Sequence, residues 1–147
     1  MSEMLGNRYF IARQFDKAIL QLEEAIAHSQ NPDKVKKKLI ICYVQTGNID
    51  RALHIFLDLV KKDPQIIVDT DPYYDDCPCN ELIPLWDQKL ASEPENTHYH
   101  MVLGILNLYC DIHKSIEHFK AARHIDHYQN IVFSILKELT EFARFMK

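Results

Sequence analysis

The chain has 147 residues, enough for one domain with a buried core, and 47% of them are hydrophobic and 26% charged. No run approaches the roughly 20 apolar residues of a membrane span, and the first ten residues lack the basic and apolar regions of a signal peptide. Without such signals we expect a cytoplasmic protein with reduced cysteines that does not bind a membrane. The net charge of −4 is concentrated in the middle of the chain, and this acidic segment would repel nucleic acid, so we expect no nucleic-acid binding.

Two stretches near the amino terminus repeat each other at a distance of 34 residues. The segment LGNRYFIARQFDKAILQLEEAI aligns with LIICYVQTGNIDRALHIFLDLV, so that Tyr9 falls on Tyr43 and Ala18 on Ala52. A shared period of this length indicates two copies of one structural unit. A repeated unit of this kind leaves one apolar face uncovered, so it must stack on a neighbour to be stable.

This pattern resembles the tetratricopeptide repeat, clearly over residues 3–64 and in divergent form over residues 65–127. The matching residues are Leu5, Gly6, Tyr9 and Ala18 in the first copy, and Gly47 and Pro64 in the second. The resemblance implies an all-α, right-handed helix–turn–helix solenoid of about four such units with a C-terminal capping helix. It also implies a protein-binding role, as an adaptor or scaffold.

The same period divides the whole chain, residues 1–147, into the parts of a single domain. Trp86 and Phe119 follow Phe56 in the aromatic position of the second helix, and Ser115 takes the alanine position of the fourth unit. Gly104 lies about one residue out of register. The expected units are residues 3–30, 32–64, 65–94 and 95–127, with the capping helix at residues 128–146.

The third unit contains an unusual stretch, DTDPYYDDCPCNELIPLWDQ, that begins at Asp69. Asp71 before a proline is a good N-cap for one helical turn, and Pro78 excludes the residue before it from helical geometry. We expect the next helix to begin with Asn80 as its cap. A loop therefore replaces the first helix of the third unit, and the resemblance implies that it lies in or beside the groove where partner peptides bind.

The charge of this middle segment suggests a ligand. Nine carboxylates and a single base, Lys89, lie between Asp63 and Glu95. Aromatic rings beside carboxylates suit a basic or amphipathic peptide, because the rings supply buried area and the charges supply orientation and association rate. A solvated connector is the alternative interpretation. The predicted contacts are Asn7, Asp71, Tyr73, Tyr74, Asp75, Asp76 and Trp86.

Asn7 belongs to that set through the family resemblance. Some members bind the C-terminal carboxylate of chaperones with a clamp of lysine, asparagine and arginine side chains, and Asn7 matches its first asparagine. Glu3 and Lys38 stand where that clamp has lysine and asparagine. An anionic tail would also meet the acidic loop, so we do not expect this protein to bind chaperone tails.

Cys77 and Cys79 form a Cys-Pro-Cys sequence. Two thiolates at this spacing can bind a soft metal, but structural zinc sites use two pairs with wider spacing, and a disulfide here is expected to be strained. The chain also lacks phosphate-loop, nucleophile-elbow and zincin motifs, so we expect no cofactor and no catalysis. A metal- or redox-responsive regulator that uses these cysteines is the alternative function.

The last helix is apolar on more than one face. Ile131, Ile135 and Leu139 continue to Phe142 and Met146 as one stripe at helical spacing. Phe133 and Phe145 lie outside this stripe. They indicate either a deeply buried cap or a self-association surface that forms a homodimer. In a third alternative the loop plugs the groove and the protein works through that surface.

Overall fold

The computed structural model describes residues 2–125 and 127–146, and these residues form α-helices without a β-strand. The chain divides into two compact halves, an amino-terminal half that ends at Phe56 and a carboxy-terminal half that begins at Leu57. The described helices are α1 (Ser2–Ile11), α2 (Phe15–Ile26), α3 (Pro32–Gln45), α4 (Ile49–Lys62), α5 (Gln65–Val68), α6 (Cys79–Ser92), α7 (Thr97–Leu108), α8 (Ile112–Ala121) and α9 (Gln129–Phe145).

The turns of the first two helix pairs repeat each other bond for bond. The amide of Gln14 donates to the carbonyl of Tyr9 at 2.9 Å, and the amide of Asn48 donates to that of Tyr43 at 2.8 Å. Between these residues the chain passes through positive φ in both turns, at Arg13 (φ 61°) and Gly47 (φ 85°). The 34-residue period in the sequence is therefore also a period in backbone geometry.

A close helix crossing organises the core of the amino-terminal half. A Cβ atom at Gly6 would lie 2.7 Å from the side chain of Leu22, so only glycine lets α1 approach α2 this closely. Leu22 and Ala18 are fully buried, and the ring of Phe10 meets Phe15 edge-on at 5.9 Å. These contacts agree with the small and large positions of the repeat.

A polar contact joins three helices of the same half. The hydroxyl of Tyr43 on α3 donates to the carboxylate of Glu23 on α2, and Arg51 on α4 donates to the same oxygen at 3.1 Å. The guanidinium of Arg51 also lies 5.8 Å from the centre of the Tyr43 ring. Burial and the bond to Glu23 raise the pKa of Tyr43, so its hydroxyl remains a donor at neutral pH.

The carboxy-terminal half repeats the crossing with a larger partner. A Cβ atom at Gly104 on α7 would lie 2.8 Å from two ring atoms of Phe119 on α8. Ser115, in the alanine position, donates to the carbonyl of Gly104 at 2.6 Å. Gly104 is therefore the counterpart of Gly6, although it lies about one residue out of register in the sequence. The turn before α8 differs from the turns of the first two pairs, which pass through positive φ. Here Asp111 caps α8 by accepting from the amides of His113 and Lys114.

Helix α9 packs against α8, and its buried face is Val132, Ile135 and Leu139, all with no exposed area. The predicted stripe was wrong at its carboxyl end, because Met146 lies beyond the helix and is 40% exposed. The reason is that α9 ends at Phe145, so Met146 no longer follows the helical face formed by Val132, Ile135 and Leu139. The all-α fold class with helix–turn–helix units is confirmed, whereas the single-domain assignment stays a prediction.

The start of α6 differs from the expectation. The helix begins at Cys79 with Pro78 in the N-cap position, so Asn80 is its second residue and does not cap it. Pro84 then occupies the sixth helical position, inside the helix. No helix in the described ranges is long and apolar enough to cross a membrane.

Candidate functional site

The loop between α5 and α6 is a folded turn. One oxygen of the Asp71 carboxylate accepts from the amides of Tyr73 and Tyr74, at 2.9 and 3.3 Å. The amide of Asp71 donates to the carboxylate of Asp75 at 2.8 Å, and the amide of Asp75 returns to the carbonyl of Asp71 at 2.8 Å. The predicted capping role of Asp71 agrees with these bonds. Asp76 then takes a positive φ of 53°, a conformation that aspartate tolerates better than most residues.

This turn presents two aromatic rings to solvent. Tyr73 is 82% exposed and Tyr74 is 76% exposed, which is unusual for large rings with an apolar body. The two rings meet edge-on, with centroids 5.2 Å apart. The turn and its rings bring together five of the predicted contacts, and we call Asp71, Tyr73, Tyr74, Asp75 and Asp76 the acidic loop.

A disulfide joins Cys77 and Cys79 at the base of the acidic loop. Their Cα atoms are 5.4 Å apart, within the ordinary range for a disulfide, and Cys79 has no exposed area. The expectation of reduced thiols was wrong for this pair. The loop turns the chain back toward the start of α6, and this turn brings the sulfur atoms of Cys77 and Cys79 together. Cys42 and Cys110 are free thiols, and burial raises the pKa of Cys42 to about 12, which makes it unreactive.

The disulfide also bears on the metal alternative. Joined sulfurs are not the thiolates that a soft metal binds. Within residues 2–125 and 127–146, no group of three or more His, Cys, Asp or Glu side chains could hold a metal ion.

Trp86 is on α6 and belongs to a second aromatic cluster, and its partner-binding role stays a prediction. Its ring meets Tyr99 of α7 edge-on at 5.8 Å, and the ammonium of Lys89 lies 4.1 Å from its centre. The hydroxyl of Tyr99 donates to Glu93 at 3.2 Å. Sequence reasoning missed Lys89 and Tyr99. The spacing of Trp86 and Lys89, three residues apart on one helix, is the signal that could have found the cation–π contact.

Asn7 makes a contact within the amino-terminal half. Its side-chain oxygen accepts from the ammonium of Lys38 at 2.8 Å, and only 6% of Lys38 is exposed. The ammonium also lies 5.7 Å from the centre of the Phe10 ring. The two positions that the family clamp uses for asparagines are therefore bonded to each other here. A partner-binding role for Asn7 stays a prediction.

The two phenylalanines predicted for self-association lie on or at the end of α9. Phe133 is 70% exposed and Phe145 is 83% exposed, while Ile135 between them is fully buried. Two exposed rings at separate points of α9 are consistent with a surface for a second copy. The homodimer stays a prediction.

A histidine contact was missed altogether. The Nδ1 atoms of His100 on α7 and His118 on α8 lie 3.0 Å apart, although the residues are 18 positions apart. Searching for pairs at helical spacing could not find it. The Gly104–Phe119 crossing could have, because His100 precedes the glycine by one turn and His118 adjoins the phenylalanine.

The comparison with known families agrees with the repeat geometry. The family model described as "Tetratricopeptide repeat" matches residues 9–75. Over this segment the chain is related to the tetratricopeptide repeat family, so the predicted relationship is confirmed there, and the segment reaches into the acidic loop. No curated protein matches the sequence. The repeat indicates a role in protein–protein interaction, and proteins of this family are in general not enzymes.

Proposed function

We propose that this protein is an interaction adaptor or scaffold that binds a basic or amphipathic segment of a partner protein at the acidic loop. One observation carries the proposal: a turn with its own hydrogen bonds holds two tyrosine rings in solvent beside the carboxylates of the loop. The relationship of residues 9–75 to tetratricopeptide repeats supports an interaction role.

The internal bonds of the loop matter for affinity. Ordering a loop on association costs free energy, and this cost is smaller for a turn that the Asp71 carboxylate already holds. Tyrosine adds large contact area with few rotatable bonds. The side chains of the acidic loop can therefore act as a preformed surface.

Charge selects the partner. Residues 69–76 contain Asp69, Asp71, Asp75 and Asp76 and no lysine or arginine, so a lysine or arginine side chain is attracted and an acidic one is repelled. The same cation can also rest on a tyrosine ring. Lys89 over Trp86, in the same half of the chain, is an example of that contact.

Neutralising two carboxylates tests the proposal. We expect Asp75→Asn with Asp76→Asn to weaken binding of a fluorescein-labelled amphipathic lysine–leucine peptide about tenfold, and to flatten the salt dependence of its Kd, measured by fluorescence anisotropy at low and high salt. Asparagine preserves the turn, because its oxygen can accept from Asp71 and because it tolerates the positive φ of residue 76.

The matched control is Asp16→Asn with Glu24→Gln. It changes the net charge equally, at two exposed positions of α2 in the other half of the chain. Loss of affinity in the loop variant alone supports the proposal. Equal losses in both variants would mean that the peptide responds only to net charge, and an unchanged Kd in the loop variant would refute the site.

The disulfide favours a second candidate, a redox-responsive regulator. Reduction by a dithiol transfers two electrons and two protons to the Cys77–Cys79 bond and leaves two thiols, while the dithiol closes to its own disulfide. The loop would then lose the covalent tie at its junction with α6. In this case peptide binding at the acidic loop would depend on the redox state.

Counting thiols tests whether the pair is oxidised. In denaturant without reductant, we expect iodoacetamide to alkylate two of the four cysteines, Cys42 and Cys110, and peptide mass mapping should find the other two joined. After reduction with dithiothreitol all four should react. Alkylation of all four before reduction, in protein purified without reductant, would exclude the redox candidate.

A further inference from the structure

The contact between His100 and His118 determines which of their ring nitrogens carry a hydrogen. The Nε2 atom of His100 lies 3.2 Å from the carbonyl oxygen of Pro94, which can only accept, so Nε2 carries the hydrogen. The Nδ1 atom of neutral His100 is then an acceptor. The Nδ1 atom of His118, 3.0 Å away, must donate to it.

This arrangement fits one added proton but not two. A proton on Nε2 of His118 leaves the bond between the rings intact. When both rings are charged, each Nδ1 carries a hydrogen, and two donors cannot stay 3.0 Å apart. The second protonation must therefore separate the rings.

The contact ties together three parts of the carboxy-terminal half. Pro94 lies in the turn between α6 and α7, His100 is on α7 and His118 is on α8. Both rings are half-buried, so solvent screens a second positive charge only in part.

The charged groups around His118 oppose one another. Burial, followed by the charge of His100, lowers the pKa of His118, and Lys114 acts in the same direction. Asp87 on α6 and Glu117 on α8 act in the opposite direction.

We propose that His100 and His118 form an acid-sensitive contact that holds α7, α8 and the turn before α7 together at neutral pH and opens when both rings are protonated. A histidine whose pKa is lowered by folding stabilises the folded state above its unfolded pKa, near 6.5. That contribution is lost as the pH falls from there toward the folded pKa. The carboxy-terminal half is therefore less stable in mild acid.

The test compares thermal unfolding of the full chain at about pH 7.5 and about pH 5.5, in EDTA to remove adventitious metal. In His118→Gln the amide can still donate to His100 but does not titrate. We expect the wild-type Tm to fall by about 3 °C more than that of the variant over this interval. His113→Gln, on the exposed side of the same helix, should behave like the wild type.

Equal pH dependence in the wild type and His118→Gln would overturn the proposal. A second readout needs no variant: in ¹⁵N-detected imidazole spectra of the wild type, His100 should carry its hydrogen on Nε2 at neutral pH. A hydrogen on Nδ1 of His100 at neutral pH would contradict it.

Discussion

Replacing Phe119 by alanine is expected to lower the free energy of unfolding by about 4 kcal/mol. The ring has no exposed area and lies against Gly104, where α8 crosses α7 closely. Removing it deletes the largest side chain at that crossing and leaves a cavity that the tightly approached helices cannot fill. The hydrogen bond from Ser115 to Gly104 holds them in place beside it.

Urea denaturation followed by circular dichroism measures this loss. The matched control is Phe133→Ala on α9, where the ring is 70% exposed, and we expect a change there of less than about 0.5 kcal/mol. Similar losses for the two variants would contradict the packing of α7 against α8.

Replacing Gly104 by alanine is expected to destabilise the protein by about 2 kcal/mol, although alanine is the better helix former by about 1 kcal/mol. The added Cβ would lie 2.8 Å from ring atoms of Phe119, far inside van der Waals contact, and a buried aromatic ring cannot rotate out of the way. Steric repulsion therefore outweighs the gain in helix propensity.

A double-variant cycle isolates that repulsion. In a Phe119→Leu background, where the ring is gone, we expect Gly104→Ala to become close to neutral. Gly47→Ala is the control: nothing lies within 4 Å of its Cβ position, and its cost of about 1 kcal/mol comes from the positive φ of 85°. That cost should be the same with Phe119 or leucine at position 119. An equal cost of Gly104→Ala in both backgrounds would contradict the close crossing.

The period of the sequence predicted the geometry of the helix pairs because the same residue types recur where the backbone needs them. Gly47 occupies a turn position with positive φ, and Gly6 and Gly104 occupy crossings where a Cβ atom has no space. Asp71 before a proline predicted the cap of the acidic loop for a similar reason, since its carboxylate bonds to amides only two and three residues away. Local requirements of this kind can be read from one segment at a time.

The features that were missed depend on the path of the chain between distant residues or on its fine geometry. The contact of His100 with His118 follows from the register of α7 against α8, and neither segment alone contains it. The pairing of Cys77 with Cys79 depends on how the loop returns to α6. The start of α6 was misplaced by two residues because Pro78 can precede a helix as well as interrupt one.

Trp86 illustrates a different limit. Its place in the acidic segment predicted a role in partner binding, which stays a prediction, but not its contacts with Tyr99 of α7 and with Lys89. The contact with Tyr99 depends on how α6 packs against α7, and the composition of one segment does not contain that information.

The acidic loop as a peptide-binding surface is the central claim, and chemical-shift mapping tests it most directly. The lysine–leucine peptide is added in steps to ¹⁵N-labelled protein until the amide chemical shifts no longer change. We predict that the largest changes fall on residues 71–76, that they saturate with one Kd, and that they shrink in the Asp75→Asn, Asp76→Asn variant. Changes that fall mainly on α9 around Phe133 and Phe145, or that leave residues 71–76 unaffected, would contradict the claim.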